Sequence, residues 1–420
     1  MTQNTYRYLI FGILGFAYVL VFFHRLSPAV MAVDIMKDFD AGGALMGVLA
    51  SAYFYPYALM QIPAGLLSDS WGPRRSVTFF LLFAAAGSIV LGISQNVGVA
   101  IASRAVVGLG VAMVFVPTMK ILTNWFEAGQ FVRMTGILIS LGGVGACTAA
   151  TPLAILSDAL TWRGSMIVIG VCTIFMALMV WWLVRDTPRE MGYPSMGQSP
   201  GSAADAAPSI GLMHGLALVL KTPRFWPMAV CFFLSAAVSL TFMGLWGGPF
   251  LMHVYGMSRS QAGGVLTMMA MGLIIGAPVM SWLADHFFTS KKRLMLTNLS
   301  VTCVLVSFLA FFTADFPPAL LYVWCFSYSF MGSGSIVVGY VIIKEIFPLR
   351  IAGTATGLVN IFPFAGAAVG QPLMGWYLDL FGSTNGVYPA AAYSSAFKFC
   401  LLSVIGALAA SFLIKESRIE

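Results

Sequence analysis

The residues that could do chemistry in this chain are few, and their surroundings single them out. Of the 22 Lys and Arg, 15 Asp and Glu and 4 His, only His24, Arg25, Arg104 and Lys398 stand inside long apolar runs. An ionisable side chain in such a run is costly and is by default a functional-site hypothesis. Every carboxylate falls in a loop or at the end of a run, so no run carries an acid near its middle. Arg25 follows Arg7 by about 27 Å of helix, and Arg104 precedes Lys120 by about 24 Å, so the two arginines lie at similar depth. Guanidinium forks match carboxylates and phosphates. Two such charges facing one space would attract an anion. His24, beside Arg25, can titrate near neutrality and is a candidate proton carrier. Lys398 reads as a side chain snorkelling towards an interface.

Other chemistry is absent. The six cysteines all sit inside apolar runs without metal-ligand spacing and read as small buried hydrophobes. No G-x-S-x-G, H-E-x-x-H or Walker loop is present, which argues against an enzyme and against an ATP-driven pump. No cofactor or metal is expected. The net charge of +7 does not indicate nucleic acid, because the positives lie in short loops where a topology signal explains them.

The elements that must position these groups are membrane spans. The chain is 59% apolar and 9% charged, against about half and a quarter in soluble domains. A membrane helix needs roughly 20 mostly apolar residues. The spans expected are 8–36, 44–67, 76–94, 98–122, 131–157, 165–184, 226–252, 261–284, 294–313, 318–343, 353–378 and 391–414. Taking the first as a signal peptide, cleaved after Ala32, would leave eleven spans and spoil the repeat described next. With both termini in the cytoplasm, 16 of the 22 Lys and Arg fall on the cytoplasmic side and 3 on the other, and that bias sets orientation. A Gly/Ser/Ala/Pro-rich stretch within 185–225 reads as a flexible linker between 1–184 and 226–420. The two halves resemble each other. A shift of 221 carries Phe126 onto Phe347, Thr135-Gly136 onto Thr356-Gly357, Gly145 onto Gly366 and Asp158 onto Asp379, and a shift of 216 carries Asp69 onto Asp285. Such repeats are a common transporter design with the solute site between the halves.

The motifs resemble the major facilitator superfamily. GLLSDSWGPRR, residues 65–75, is similar to that family's loop after span two, with Asp69, Gly72, Arg74 and Arg75 matching and Ser70 replacing an arginine. The copy at 281–293 keeps Asp285 and the basic residues. RAVVGLG at 104–110, NWF at 124–126, TWR at 161–163 and RDTPREMG at 185–192 also resemble family signatures. The resemblance implies an all-α membrane protein, twelve spans in two pseudo-symmetric six-helix bundles around a central cavity. It implies that spans one and four line that cavity, bringing Arg25 and Arg104 to the solute. It also implies gating by Asp69, Arg74, Arg75 and Asp285, since a carboxylate at a helix end can pair with arginines and a neighbouring helix N-terminus. FFHRLSPAV around Arg25 is similar to the anion-binding span of organophosphate and organic-anion members. The second arginine of the organophosphate antiporters is missing from 226–252, and so is the oxalate-type arrangement of Arg in span eight with Lys in span eleven. An anion preference follows, and no named solute.

The neutral lining is expected from Tyr53, Tyr57 and Gln61, which recur on one face of span two, from Ser235 and Ser239, and from Asn360 and Gln371. The reading is a secondary transporter, monomeric in the bilayer of a bacterial inner membrane, moving a small organic anion by proton symport or exchange. Efflux of apolar, drug-like compounds is the alternative, although the span-five antiporter pattern is not met, since Ala146-Cys147 follow Gly145. A transporter-like membrane sensor is the alternative of another class, disfavoured by a tail of only six residues after Ile414.

Overall fold

A computed structural model describes residues 2–194, 212–288, 290–384 and 386–414. These residues are helical nearly throughout, and large apolar side chains such as Phe16, Leu59, Phe175, Trp182 and Leu402 stand exposed on the helices. Such surfaces suit lipid, where only structures that close their own backbone hydrogen bonds can span. Ten helices among the described residues are long and apolar enough to cross a membrane, and eleven when the bent pair Gly43–Leu59 and Gln61–Ser70 is one span. The twelfth is span five, made of Ala128–Thr148 and the beginning of Thr151–Leu183. The latter helix, 33 residues, is about 50 Å long at 1.5 Å per residue, more than one crossing requires. Thr161, at φ 62°, divides it, so that 162–183 forms span six.

Span one is Gln3–Leu26 followed by Pro28–Phe39, and span two is 43–70. Spans three and four are Pro73–Ile93 and Val97–Trp125. In the second half, span seven runs 226–255 with a π-turn at Phe242–Trp246, span eight is Arg259–His286, nine Lys291–Phe311, ten Pro318–Ile346, eleven 349–379 and twelve Ala390–Phe412. Part of the expected linker, 195–211, lies outside the described residues.

Two prolines leave openings that distant residues fill. Proline has no N–H, so a proline inside a helix strands the carbonyl four residues earlier. Pro28 strands the carbonyl of His24, and Arg104 Nη1 donates to it at 2.7 Å. Pro372 strands the carbonyl of Ala368, and the Tyr55 hydroxyl, from the other half, donates to it at 3.1 Å.

The halves meet at the face opposite the termini. A continuous apolar cluster there joins Met31, Ile35 and Met46 of the first half to Trp246, Phe250 and Met374 of the second. The backbones touch: a Cβ on Gly47 would crowd the backbone of Gln371 and Pro372, one on Gly375 that of Gly43, and one on Gly248 that of Ala29. At the terminal face the reverse holds. A Cβ on Gly65 of span two, or on Gly353 or Gly357 of span eleven, would meet open space. The bundles are therefore closed at the distal face and parted at the terminal face.

Polar contacts reinforce the closed end. Span two begins at Gly43, and the first N–H groups of a helix have no partner inside it. Asp379, ending span eleven, accepts from the Gly43 N–H at 2.7 Å and the Ala44 N–H at 2.8 Å, and also from the Tyr388 hydroxyl. A carboxylate there also suits the helix dipole. Arg259, beginning span eight, pairs with Asp34 and, at 2.8 Å, with Asp158 at the end of span five. The arrangement follows the repeat. The shift of 221 relates Asp158 to Asp379, and the shift of 216 relates Gly43 to Arg259. Each half thus sends a carboxylate to the start of a span in the other.

Candidate solute site

Arg25 is presented into a cavity of about 250 Å³ between the halves. It stands in the last turn of the Gln3–Leu26 helix, where Pro28 is about to break the span. Its guanidinium carbon lies 4.8 Å from the Phe22 ring centre, 4.9 Å from Tyr57 and 5.2 Å from Phe364. The rings' negative faces attract the cation but carry no net charge. No carboxylate among the described residues lies within ion-pair distance of it. Its Nε is buried without a hydrogen-bond partner. A buried charge lacking a counterion is strongly destabilised, and an incoming anion would supply one.

Ser239 of span seven and Asn360 of span eleven also line the cavity. Asn360 accepts from the Tyr340 hydroxyl and donates to Gln61 Oε1 at 3.3 Å, a bond across the two halves. Gln61 in turn reaches the Tyr57 carbonyl at 3.4 Å. Tyr57 contributes its ring beneath Arg25, and Tyr53 stacks on Tyr57 with ring centres 5.6 Å apart. The structure thus places Arg25, Asn360 and Ser239 on the cavity wall, with Tyr57 packed against Arg25 and Gln61 bonded to Asn360.

Arg104 does not line the cavity. It is at the depth of Arg25, since it binds the carbonyl of the preceding residue, but it lies over the Tyr53 ring at 5.1 Å, fully buried. The stranded carbonyl of His24 draws it away. The His24 ring is also fully buried and turns to span six, where Nε2 is 3.0 Å from the Thr173 hydroxyl. His24 and Arg25 are adjacent in sequence but face different neighbours.

At the terminal face Asp69 pairs with Lys120 of the same half. The Arg74 backbone N–H donates to Asp186 at 2.7 Å, while its guanidinium lies over Trp181 at 5.0 Å. Burial pushes the Asp186 carboxyl above its ordinary range, against the pull of that hydrogen bond. Gly72 turns the loop at φ 92°, a conformation natural to glycine. Arg75 is exposed. The Asp285 side chain lies outside the described residues.

Several participants escaped sequence reasoning. Phe22 and Phe364 of the cage are apolar residues among 33 phenylalanines, and nothing local separates them from lipid-facing ones. Asp379 and Asp158 could be found as a repeat pair, although their partners could not. The prolines at 28 and 372 were the available signal for Arg104 and Tyr55.

Comparison with known proteins agrees with this architecture. The model of the Major Facilitator Superfamily matches residues 13–248 and 228–420. The chain belongs to the major facilitator superfamily. It is 26% identical over 436 residues to a D-galactonate transporter of Escherichia coli O6:H1, covering 98% of this chain and 96% of that protein. It is 25% identical over 380 residues to the membrane sensor protein UhpC of Escherichia coli K12, covering 86% and 82%. Among solved structures, a bacterial homologue of the human lysosomal transporter Spinster, in an inward-facing and unoccupied conformation, superposes with a TM-score of 0.80 at 19% identity, covering 97% of each chain. The chain is thus a multi-pass membrane protein with the fold of a secondary transporter of small solutes.

Proposed function

We propose that this transporter moves a small organic anion by alternating access, with Arg25 binding the anionic head. The observation that carries this is the Arg25 guanidinium, seated in an aromatic cage on the cavity wall without a carboxylate partner. The D-galactonate transporter, whose named solute is an organic anion, supports the choice. Units 1–184 and 226–420 rock about the cavity, 185–225 links them, and a single chain suffices. The terminal face is cytoplasmic, as the Lys and Arg bias requires, and the membrane is a bacterial inner membrane. Asp69, Arg74, Arg75 and Asp285 act in gating.

Proton symport or exchange drives the movement. For symport His24, whose ring meets the Thr173 hydroxyl of span six, is the proton carrier. Arg104, Tyr53, Tyr57, Gln61, Ser239 and Asn360 support the bound solute, some directly and some by holding Arg25. The experiment is a thermal-shift screen of purified protein against a metabolite panel, repeated with Arg25→Gln. Stabilisation by carboxylates that Arg25→Gln removes supports the reading. Stabilisation only by uncharged apolar compounds would favour export of such compounds, a reading that the largely apolar cavity wall recommends.

A further inference from the structure

The cavity is unevenly shared. The first half contributes only Phe22, Arg25 and Leu26, and all the rest comes from the second half. The space also runs beyond the interface. It passes between spans seven and ten into the interior of the second bundle, where Leu299 of span nine and Val404 of span twelve wall it. Among the described residues, no charged side chain other than Arg25 lines it.

Several of its polar groups already donate within the protein. The Thr302 hydroxyl donates to the Asn298 carbonyl at 2.8 Å and the Ser333 hydroxyl to the Phe330 carbonyl at 2.7 Å. Tyr340 donates to Asn360, and Asn360 to Gln61. The Ser235 and Ser335 oxygens are covered in this conformation. The hydroxyls of Ser239, Tyr328 and Ser329 remain on the wall, but a second anionic group would meet no cation, and a solute hydroxylated on every carbon would set most of its hydroxyls against carbon, which is costly for a hydroxyl and far more so for a charge. An apolar tail meets no such penalty.

We propose that the solute is a monoanion whose carboxylate rests on Arg25 and whose unhydroxylated tail fills this sleeve inside the second half. The proposal rests on the reading of Arg25 as the anion ligand. It differs from what the hydroxylated acid named for the galactonate transporter would suggest.

The test uses the full-length protein in nanodiscs, with binding of butanoate, pentanoate, hexanoate, adipate and gluconate measured at one pH. Gluconate has the carbon count and the single charge of hexanoate and differs only in its hydroxyls. Adipate differs in its second carboxylate. Affinity should rise about fourfold for each methylene that enters the sleeve. Hexanoate should outbind both gluconate and adipate by at least about tenfold, one such step being 1.4 kcal/mol. Gly332→Leu is the second variant. Gly332 lines the sleeve, and a Cβ there meets open space, so a side chain at this position starts into the sleeve without a clash at its root. It should flatten the chain-length series. Gluconate or adipate binding as tightly as hexanoate, with that binding lost in Arg25→Gln, overturns the tail proposal and leaves anion transport standing. A flat series in the wild type, or a Gly332→Leu series that still rises, also overturns it. Binding of none of the acids, or binding indifferent to Arg25→Gln, overturns both readings.

Discussion

Arg25 rests against three rings that carry no net charge, which leaves its electrostatic need unmet until a solute arrives. Arg25→Gln should therefore lower solute affinity by at least about thirtyfold, the lower bound for truncating one member of a buried charged pair. The folded protein should stay in the membrane, and calorimetric titration beside size-exclusion chromatography checks both. Arg25→Lys should recover little, because a point charge replaces a planar fork that stacks on the cage. His24 poses a different question, since its ring is hydrogen-bonded to Thr173 and sealed from the cavity. If it carries the coupling proton, His24→Gln liposomes under an imposed pH gradient should lose uphill accumulation and keep Arg25-dependent binding. Accumulation that persists would make His24 a packing residue. The charges inside apolar runs were legible from sequence, because a charge in such a run stands out. The cage was not, because Phe364 reaches Arg25 only through the fold.

The elements that close the distal face do so at their ends. Span two begins without partners for its first N–H groups, and Asp379 supplies them from the other half. Asp379→Asn keeps the shape and removes the charge, so it should shift the population towards the state open at the distal face. Labels on spans two and eleven, read by electron–electron distance measurement, should show a larger fraction of long distances. An unchanged distribution would mean that apolar packing alone holds the seam. Asp69 lies at the other end, tied to Lys120 within its own half. Asp69→Asn should slow transport more than it weakens binding, because it sits far from the cavity and acts on the balance of states. A tenfold loss of affinity with unchanged rate would contradict that role. Span number and the repeat were readable from hydropathy and from residues such as Asp158 and Asp379. The helix breaks were partly readable, at Pro28 for example. The turn of span seven at Phe242–Trp246 has a signal too, since Pro249 strands the carbonyl of Leu245 within it, but its π form is not legible.

For the whole molecule, the distal seam is backbone against backbone at Gly47, Gly248 and Gly375. Gly47→Val should prevent the two halves from closing there, because the atoms it would strike belong to the backbone of span eleven. We expect a folded protein with uptake slower by at least about fivefold, as an overpacking cost of about 1–3 kcal/mol implies. Accessibility of a cysteine placed in the cavity to a reagent added from the distal side should rise, and unaltered accessibility would show that the seam accommodates the side chain. Which glycines cross between the halves depends on the conformation adopted, and no local pattern in the sequence marks them. The uneven cavity carries one more consequence. Its cation belongs to one half and its apolar sleeve to the other, so a full-sized cargo is a tie-rod between two bodies that must swing together. An acid long enough to touch both ends draws the halves along with it, whereas one that reaches only the guanidinium occupies the seat without coupling them. Short carboxylates should consequently behave as blockers, slowing the passage of longer ones while never themselves reaching the far side.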